Sequence, residues 1–295
     1  MIRSALIFLS LCLATPAIAD DAAFWSHWSD GKAELNGYRL TLSRYGQTRT
    51  GSAVMIFVTE PFSRTRKVKV DRYDKENPDH FTAFKLNLVR KFQTGIYDYS
   101  VMTSVFTDPG ARFAPVKTSF SSQEWCGQVY EETHFGAEGT KVRTDSYFEG
   151  ETMTTTLEPG LWSEEGLFVW ARGLASNGPA DTKSGKVSVL GSAFVRRLRH
   201  LPARPLETAL DWSGPETITV PAGTFTARKL SWTRQTGATC GVDIEVARPH
   251  RVLRWACSDG EKAELLGTRR SPYWRMSREG DEKLLRDLGL GATGP

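Results

Sequence analysis

The chain has 295 residues, 40% hydrophobic and 24% charged, with 26 Gly and 14 Pro, a globular composition that excludes disordered and fibrous classes. Its 38 Lys and Arg against 34 acids leave a net charge of +4, too small and too evenly spread for nucleic acid to be the main partner. Four Cys and nine Trp are the distinctive counts.

Met1-Ile2-Arg3, the apolar run Ala5 to Ala14 and the small pair Ala17 and Ala19 read as a secretory signal cleaved after Ala19. The run is too short for a bilayer-spanning helix, which needs about 20 residues, and no later segment is apolar enough to form a transmembrane helix. A retained N-terminal anchor is the competing reading. Acylation at Cys12 fails on spacing, because Leu11 stands where a small residue is required. Cleavage removes Arg3 and Cys12, leaves 37 basic residues against 34 acids, a charge of +3, and implies a periplasmic, oxidising setting.

Asp21 to Trp28 reads as a short helix. Thereafter short alternating or apolar runs recur between turn signals: Gly37 to Leu42, Ala53 to Val58, Lys67 to Val70, Phe84 to Leu88, Ile96 to Phe106, Val116 to Phe120, Cys126 to Tyr130 and Lys141 to Phe148. Within this series Cys126 is the odd thiol. As an enzyme nucleophile it would need a base, and His134, eight residues on, lies about 26 Å away if the strand is continuous. The alternative is a buried Cys packed beside Trp125. The acid pairs Glu131-Glu132 and Glu164-Glu165 point to opposite faces of a strand and fit a solvated surface better than a catalytic pair.

Ser163 can cap a helix over 163 to 175, with Leu167, Phe168, Trp170, Ala171 and Leu174 on one face. That helix either covers the mouth of a curled sheet or fills its core as a crossover, and Trp162, Phe168 and Trp170 are the candidates to line a ligand cavity. Ser176 to Asp181 carries the breakers Asn177-Gly178-Pro179 and separates the halves 20–175 and 182–295 of one curled domain. Strands resume at Lys186 to Leu190 and Phe194 to Leu198. Arg196, Arg197 and Arg199 can meet an anionic head group through their bidentate forks, or else guard a solvated edge strand. About a dozen strands emerge in all, more than a flat sheet comfortably holds.

Thr217 to Leu230 contains a strand, the tight corner Val220-Pro221-Ala222-Gly223-Thr224-Phe225 and a second strand. This V-P-A-G-T-F corner resembles uncharacterised exported bacterial proteins that look like relatives of the lipoprotein-localisation carriers. The likeness covers about residues 185 to 275. It implies a strongly curved antiparallel sheet, an open half-barrel plugged by short helices, and an apolar concavity that shields lipid or lipoprotein acyl chains. It carries over no catalytic residues.

Beyond it, the flanks Cys240 to Val246 and Arg251 to Cys257 are equally long around the turn Ala247-Arg248-Pro249-His250. Cys240 therefore faces Cys257 across a hairpin, within disulfide reach. Gly280 to Leu288 reads as a terminal helix through Leu284, Leu285 and Leu288.

The strong catalytic and metal-binding spellings are absent, and the five His are isolated in sequence, so no metal site and no cofactor are expected. The expectation is an all-β, non-enzymatic envelope protein that binds a hydrophobic or amphipathic ligand in a concave sheet. The alternatives are an exported enzyme using Cys126 and a periplasmic scaffold that pairs with an envelope protein partner by its sheet edge.

Overall fold

The computed structural model describes residues 22–175 and 185–291. The expected signal segment 1–19, the loop 176–181 and the side chain of Leu174 lie outside the described residues. A short helix α1 (Ala22–Trp28) precedes an antiparallel meander of β1 (Ala33–Arg44), β2 (Gln47–Ser63), β3 (His80–Thr94), β4 (Tyr97–Asp108), β5 (Ala114–Glu124), β6 (Gly127–Gly136), β7 (Gly139–Ser146) and β8 (Met153–Leu157). The two-residue strand β9 (Trp162–Ser163) leads into helix α2 (Gly166–Ala175) and a parallel return, β10 (Gly185–Leu190). Helix α3 (Ala193–Arg199) is followed by a second meander of β11 (Pro205–Val220), β12 (Gly223–Thr233), β13 (Thr239–Glu245), β14 (Val252–Cys257) and β15 (Lys262–Ser271).

All fifteen strands form one curved sheet that does not close into a barrel. Its order places β1 beside β15 in the middle, with β8 and β9 as the two edges. The ends of the chain are thus stitched together, and the opening falls in the middle of the sequence. Helix α2 packs against both β4 and β13, which stand six strands apart, so it lies inside the curve. The edge strand β9 reaches across to β5.

Alternation sets what faces inward. Tyr38, Leu40 and Leu42 on β1 and Phe84, Leu86 and Leu88 on β3 meet Trp232, Val242, Trp255 and Leu265 from the second meander in one core. Phe168 on α2 lies deep in it, edge-on to Trp232 and Trp255 at 6.1 and 5.5 Å. On the convex face the cross-strand pair Gly37 and Gly267 leaves a bare patch of sheet. A Cβ at Gly37 would stand 2.1 Å from the Leu288 carbonyl oxygen, and this close approach lets the Asp281–Leu288 segment dock there. That segment, expected as a terminal helix, is a 3₁₀ helix, and of its three leucines Leu288 is the buried one.

The V-P-A-G-T-F corner is a tight hairpin turn in which Val220 pairs with Gly223 and the Ala222 N–H donates to the Leu265 carbonyl. The cysteine hairpin has the expected register from Cys240 opposite Cys257 to Asp243 opposite Arg254, then a bulge shifts Ile244 onto Val252. Cys240 and Cys257 form a disulfide with Cα atoms 4.0 Å apart.

Three local expectations are corrected. Lys67 to Val70 is not a strand: Lys69 makes only an isolated bridge, to Phe62. Phe194 to Leu198 is not a strand but lies in α3, because the Ser192 hydroxyl accepts from the Val195 N–H and caps a helix. Cys126 is not buried in a strand but exposed in the β5–β6 turn, beside an equally exposed Trp125. Ser163 does cap α2 as expected, accepting from the Gly166 N–H at 2.9 Å, although it belongs to β9.

The disulfide closes a loop of sequence separation 17, so Cys257→Ala should lower the unfolding free energy by about 3 kcal/mol. Urea denaturation with and without reductant checks this, and an unchanged midpoint would show that the sheet neighbours alone hold the hairpin.

Candidate functional site

Charged residues occupy inward positions of otherwise apolar strands, and each is met by a partner from another element. Glu34 on β1, fully buried, is held by Arg172 on α2 through a hydrogen bond of 2.7 Å and a second ion contact of 2.6 Å. Burial alone would raise its pKa, but the Arg172 charge and hydrogen bonds, with Asn36, hold the carboxyl below its ordinary range. Glu131 on β6 binds Arg196 through two hydrogen bonds of 2.8 and 2.5 Å. Glu124 on β5 accepts from Arg197 at 3.0 Å and from the Cys126 N–H at 2.7 Å.

A larger cluster lies near the N-terminal end of α2. Glu261 accepts from Arg90 on β3 at 3.1 Å, from Arg234 at 3.1 Å and from the Trp255 indole at 3.0 Å. Burial pushes its pKa up, but the two guanidiniums and the indole bring it down to about 2. Arg234 also binds Glu164 at 2.8 Å and Asp259 at 3.3 Å. Glu165 hydrogen-bonds the Ser192 hydroxyl, and burial followed by the neighbouring Glu164 charge raises its pKa. Glu131, Glu164 and Glu165 are therefore interior groups, correcting the expectation of a solvated face; only Glu132 lies outward, beside Lys117 and His134.

The expected ligand residues are not brought together. Trp162 and Trp170 are half-buried and form an edge-on pair at 5.6 Å, while Phe168 is core. Arg196 and Arg197 line a cavity of about 190 Å³ beneath α3, but Glu131 and Glu151 line it as well, and Arg199 is exposed beyond it. His134 cannot serve Cys126 as a base: β6 runs unbroken from the turn past His134, and hydrogen bonding to Glu124 foremost raises the thiol's pKa. An activated nucleophile needs the opposite shift.

The structure adds a site that the sequence did not suggest, a cavity of about 380 Å³ between α1, Arg172 and the β13–β14 turn. Its apolar wall is Phe24, Trp28 and Phe84, with Trp28 packed on Phe84 at 4.7 Å. Its polar wall is His27, Asp30, Arg172, Arg248 and His250. Arg270 braces this wall, donating to His27 Nε2, the His27 carbonyl and Asp30, each at 2.6 Å, while its guanidinium lies 5.0 Å from the Trp28 ring centre. Burial, then the Arg270 charge, lowers the His27 pKa and keeps the ring neutral near pH 7. Burial likewise lowers that of His250, whose Nδ1 bonds the Glu245 carbonyl at 3.1 Å and whose buried Nε2 has no hydrogen-bond partner. The signal for this site is spread over Phe24-Trp25-Ser26-His27-Trp28 and Arg248-Pro249-His250, segments far apart in sequence and joined by the sheet.

No three His, Cys, Asp or Glu among the described residues stand close enough to hold a metal ion, and no described helix is long and apolar enough to cross a membrane. No family model matches the chain, and no curated protein or solved structure matches it.

Two variants separate the interior carboxyls. Glu261→Gln should cost about 3–5 kcal/mol near neutral pH, because buried Arg90 loses its carboxylate partner and Arg234 loses one of three. That cost is present above the ordinary glutamate value of 4.5 and fades as pH falls towards about 2, where Glu261 itself is protonated in the fold. Glu165→Gln should leave stability unchanged or raise it near neutral pH, since burial and the Glu164 charge raise the Glu165 pKa and so disfavour in the fold the charged form that the unfolded chain adopts. Urea denaturation between about pH 7 and pH 3 distinguishes them; equal losses for both would contradict this assignment of charge.

Proposed function

We propose that the protein is a non-enzymatic envelope protein that binds a small amphipathic molecule in the cavity at α1. The observation that carries this reading is the pairing of an aromatic wall, Phe24, Trp28 and Phe84, with a braced polar wall in a cavity of about 380 Å³. That volume lies in the usual small-molecule range of about 300–1,000 Å³. An apolar body packs on the rings, and an oxygen-bearing head accepts from the Arg248 guanidinium and donates a hydroxyl hydrogen to His250 Nε2. Because the side chains of α2 and the Arg–Glu pairs fill the concavity, the reading favours a compact ligand at the sheet's end over an acyl chain laid along its length. The raised pKa of Cys126 and its distance from His134 favour binding over thiol catalysis.

Ser26 is exposed at the cavity wall, so Ser26→Trp fills the space without touching the core. The fluorescent amphiphile anilinonaphthalene sulfonate should bind the native chain and quench its Trp emission, and Ser26→Trp should weaken that binding at least tenfold. Equal binding by the two proteins would remove the cavity as the site.

A further inference from the structure

In an antiparallel meander every second turn falls at the same end of the sheet. The β1–β2, β3–β4, β5–β6 and β7–β8 turns therefore share one rim, at the end opposite the α1 cavity. Each carries a large apolar residue in water: Tyr45 is 55% exposed, Ile96 81%, Trp125 69% and Tyr147 66%.

Successive tips stand two strands apart, so at about 4.8 Å per strand the row is about 29 Å long. It is nearly continuous. The Tyr45 and Tyr97 hydroxyls are 3.2 Å apart, the Tyr97 and Trp125 ring centres 6.3 Å, and the Tyr147 ring lies on bare Gly127, where a Cβ would stand 2.4 Å from it. None of the four tip residues lines the cavities of about 380, 190 or 390 Å³. They project from a convex rim instead of walling a groove.

From this arrangement we infer that the rim is a docking surface for a lipid bilayer. Trp and Tyr place an apolar ring and a polar atom at the headgroup level, and Ile, on the most exposed tip, supplies a purely apolar contact. A row of protruding tips along a rim suits a soft, laterally uniform surface, whereas a protein partner's helix or strand would need a groove or a free backbone edge. Contiguous apolar patches of this kind are rare on soluble monomers without an interaction role. The charges at and behind the tips, Arg44, Arg49, Lys91 and Arg199 against Asp98, Glu149 and Glu151, leave a small positive excess, the sign that suits an anionic membrane.

The test uses the chain beginning at Asp20, which keeps every described residue and omits the apolar run that would itself enter lipid. Vesicles of phosphatidylcholine and phosphatidylglycerol in equal parts should co-sediment it. Ile96→Ser combined with Trp125→Ser should reduce partitioning at least tenfold, while Trp274→Ser, at an exposed Trp outside the rim, should leave it unchanged. Cys126, the free exposed thiol beside Trp125, gives a readout that needs no substitution: an environment-sensitive fluorophore attached there should shift to the blue on adding vesicles. No co-sedimentation, an unshifted label, or an equal loss with Trp274→Ser would overturn the inference. The α1 cavity plays no part in this assay, so failure here leaves the ligand reading standing.

Discussion

Buried arginine–glutamate pairs decide where this sheet bends and what fills it. A sheet of fifteen strands with two open edges has no ladder hydrogen bonds across its gap to fix the curvature, so the shape must be set from inside. Arg172 ties α2 to β1, Arg196 and Arg197 tie α3 to β6 and β5, and Glu261 joins Arg90 of the first meander to Arg234 of the second. Each pair links elements far apart in sequence. Their contribution is geometric more than energetic: removing two charges from water costs about what their attraction returns, but a glutamate at an inward position leaves its arginine only one place to go. The helices are thereby indexed to particular strands, whereas a purely apolar filling could slide.

The same constraint explains why the opening can fall at β8 and β9. With β1 and β15 paired in the middle, the two meanders are continuous through the chain's own ends, and the C-terminal segment, docked on Gly37 and Gly267, covers that seam from outside. The gap is bridged from within by β9, which touches β5, and by α3, whose arginines cross to the first meander. An open sheet with its edges held this way keeps its curvature without becoming a barrel.

Much of the fold was readable because its signals are local. Alternation gave the strands, equal flanks around Ala247 to His250 gave the disulfide partners, and Ser163 gave the start of α2. The charge network was also present in the parity of the strands, where Glu34 shares a face with Tyr38 and Leu40, Arg90 with Leu86 and Leu88, and Glu131 with Val129. A charge on the apolar face calls for a buried partner, but the partners sit on helices that alternation does not place. Arg196 and Arg197 read as partners for an anionic head group, or as guards of a solvated edge strand, for that reason: in a strand they would alternate, while in α3 both turn inward to glutamates. The α1 cavity had no local signature, since its lining comes from separate segments between Phe24 and His250 that only the folded sheet and α2 bring together.

The placement of the two surfaces narrows the kind of ligand that fits. β1 runs the length of the sheet from the α1 end to the Tyr45 rim in twelve residues, about 40 Å at 3.3 Å per residue. With the rim seated on a bilayer, the α1 cavity opens well clear of the headgroups, facing water. A molecule reaching it must leave the membrane or never have been in it. The polar wall suits that requirement, because a head group coming from water keeps its hydrogen bonds by exchanging them for Arg248 and His250, while only the part packed on Phe24, Trp28 and Phe84 is taken out of solvent. A long acyl chain would have to cross the full height of the sheet, through a concavity that Phe168 and the arginine–glutamate pairs already occupy. The two proposals taken together, a rim on lipid and a cavity open to water, describe a tethered binder of soluble amphiphiles.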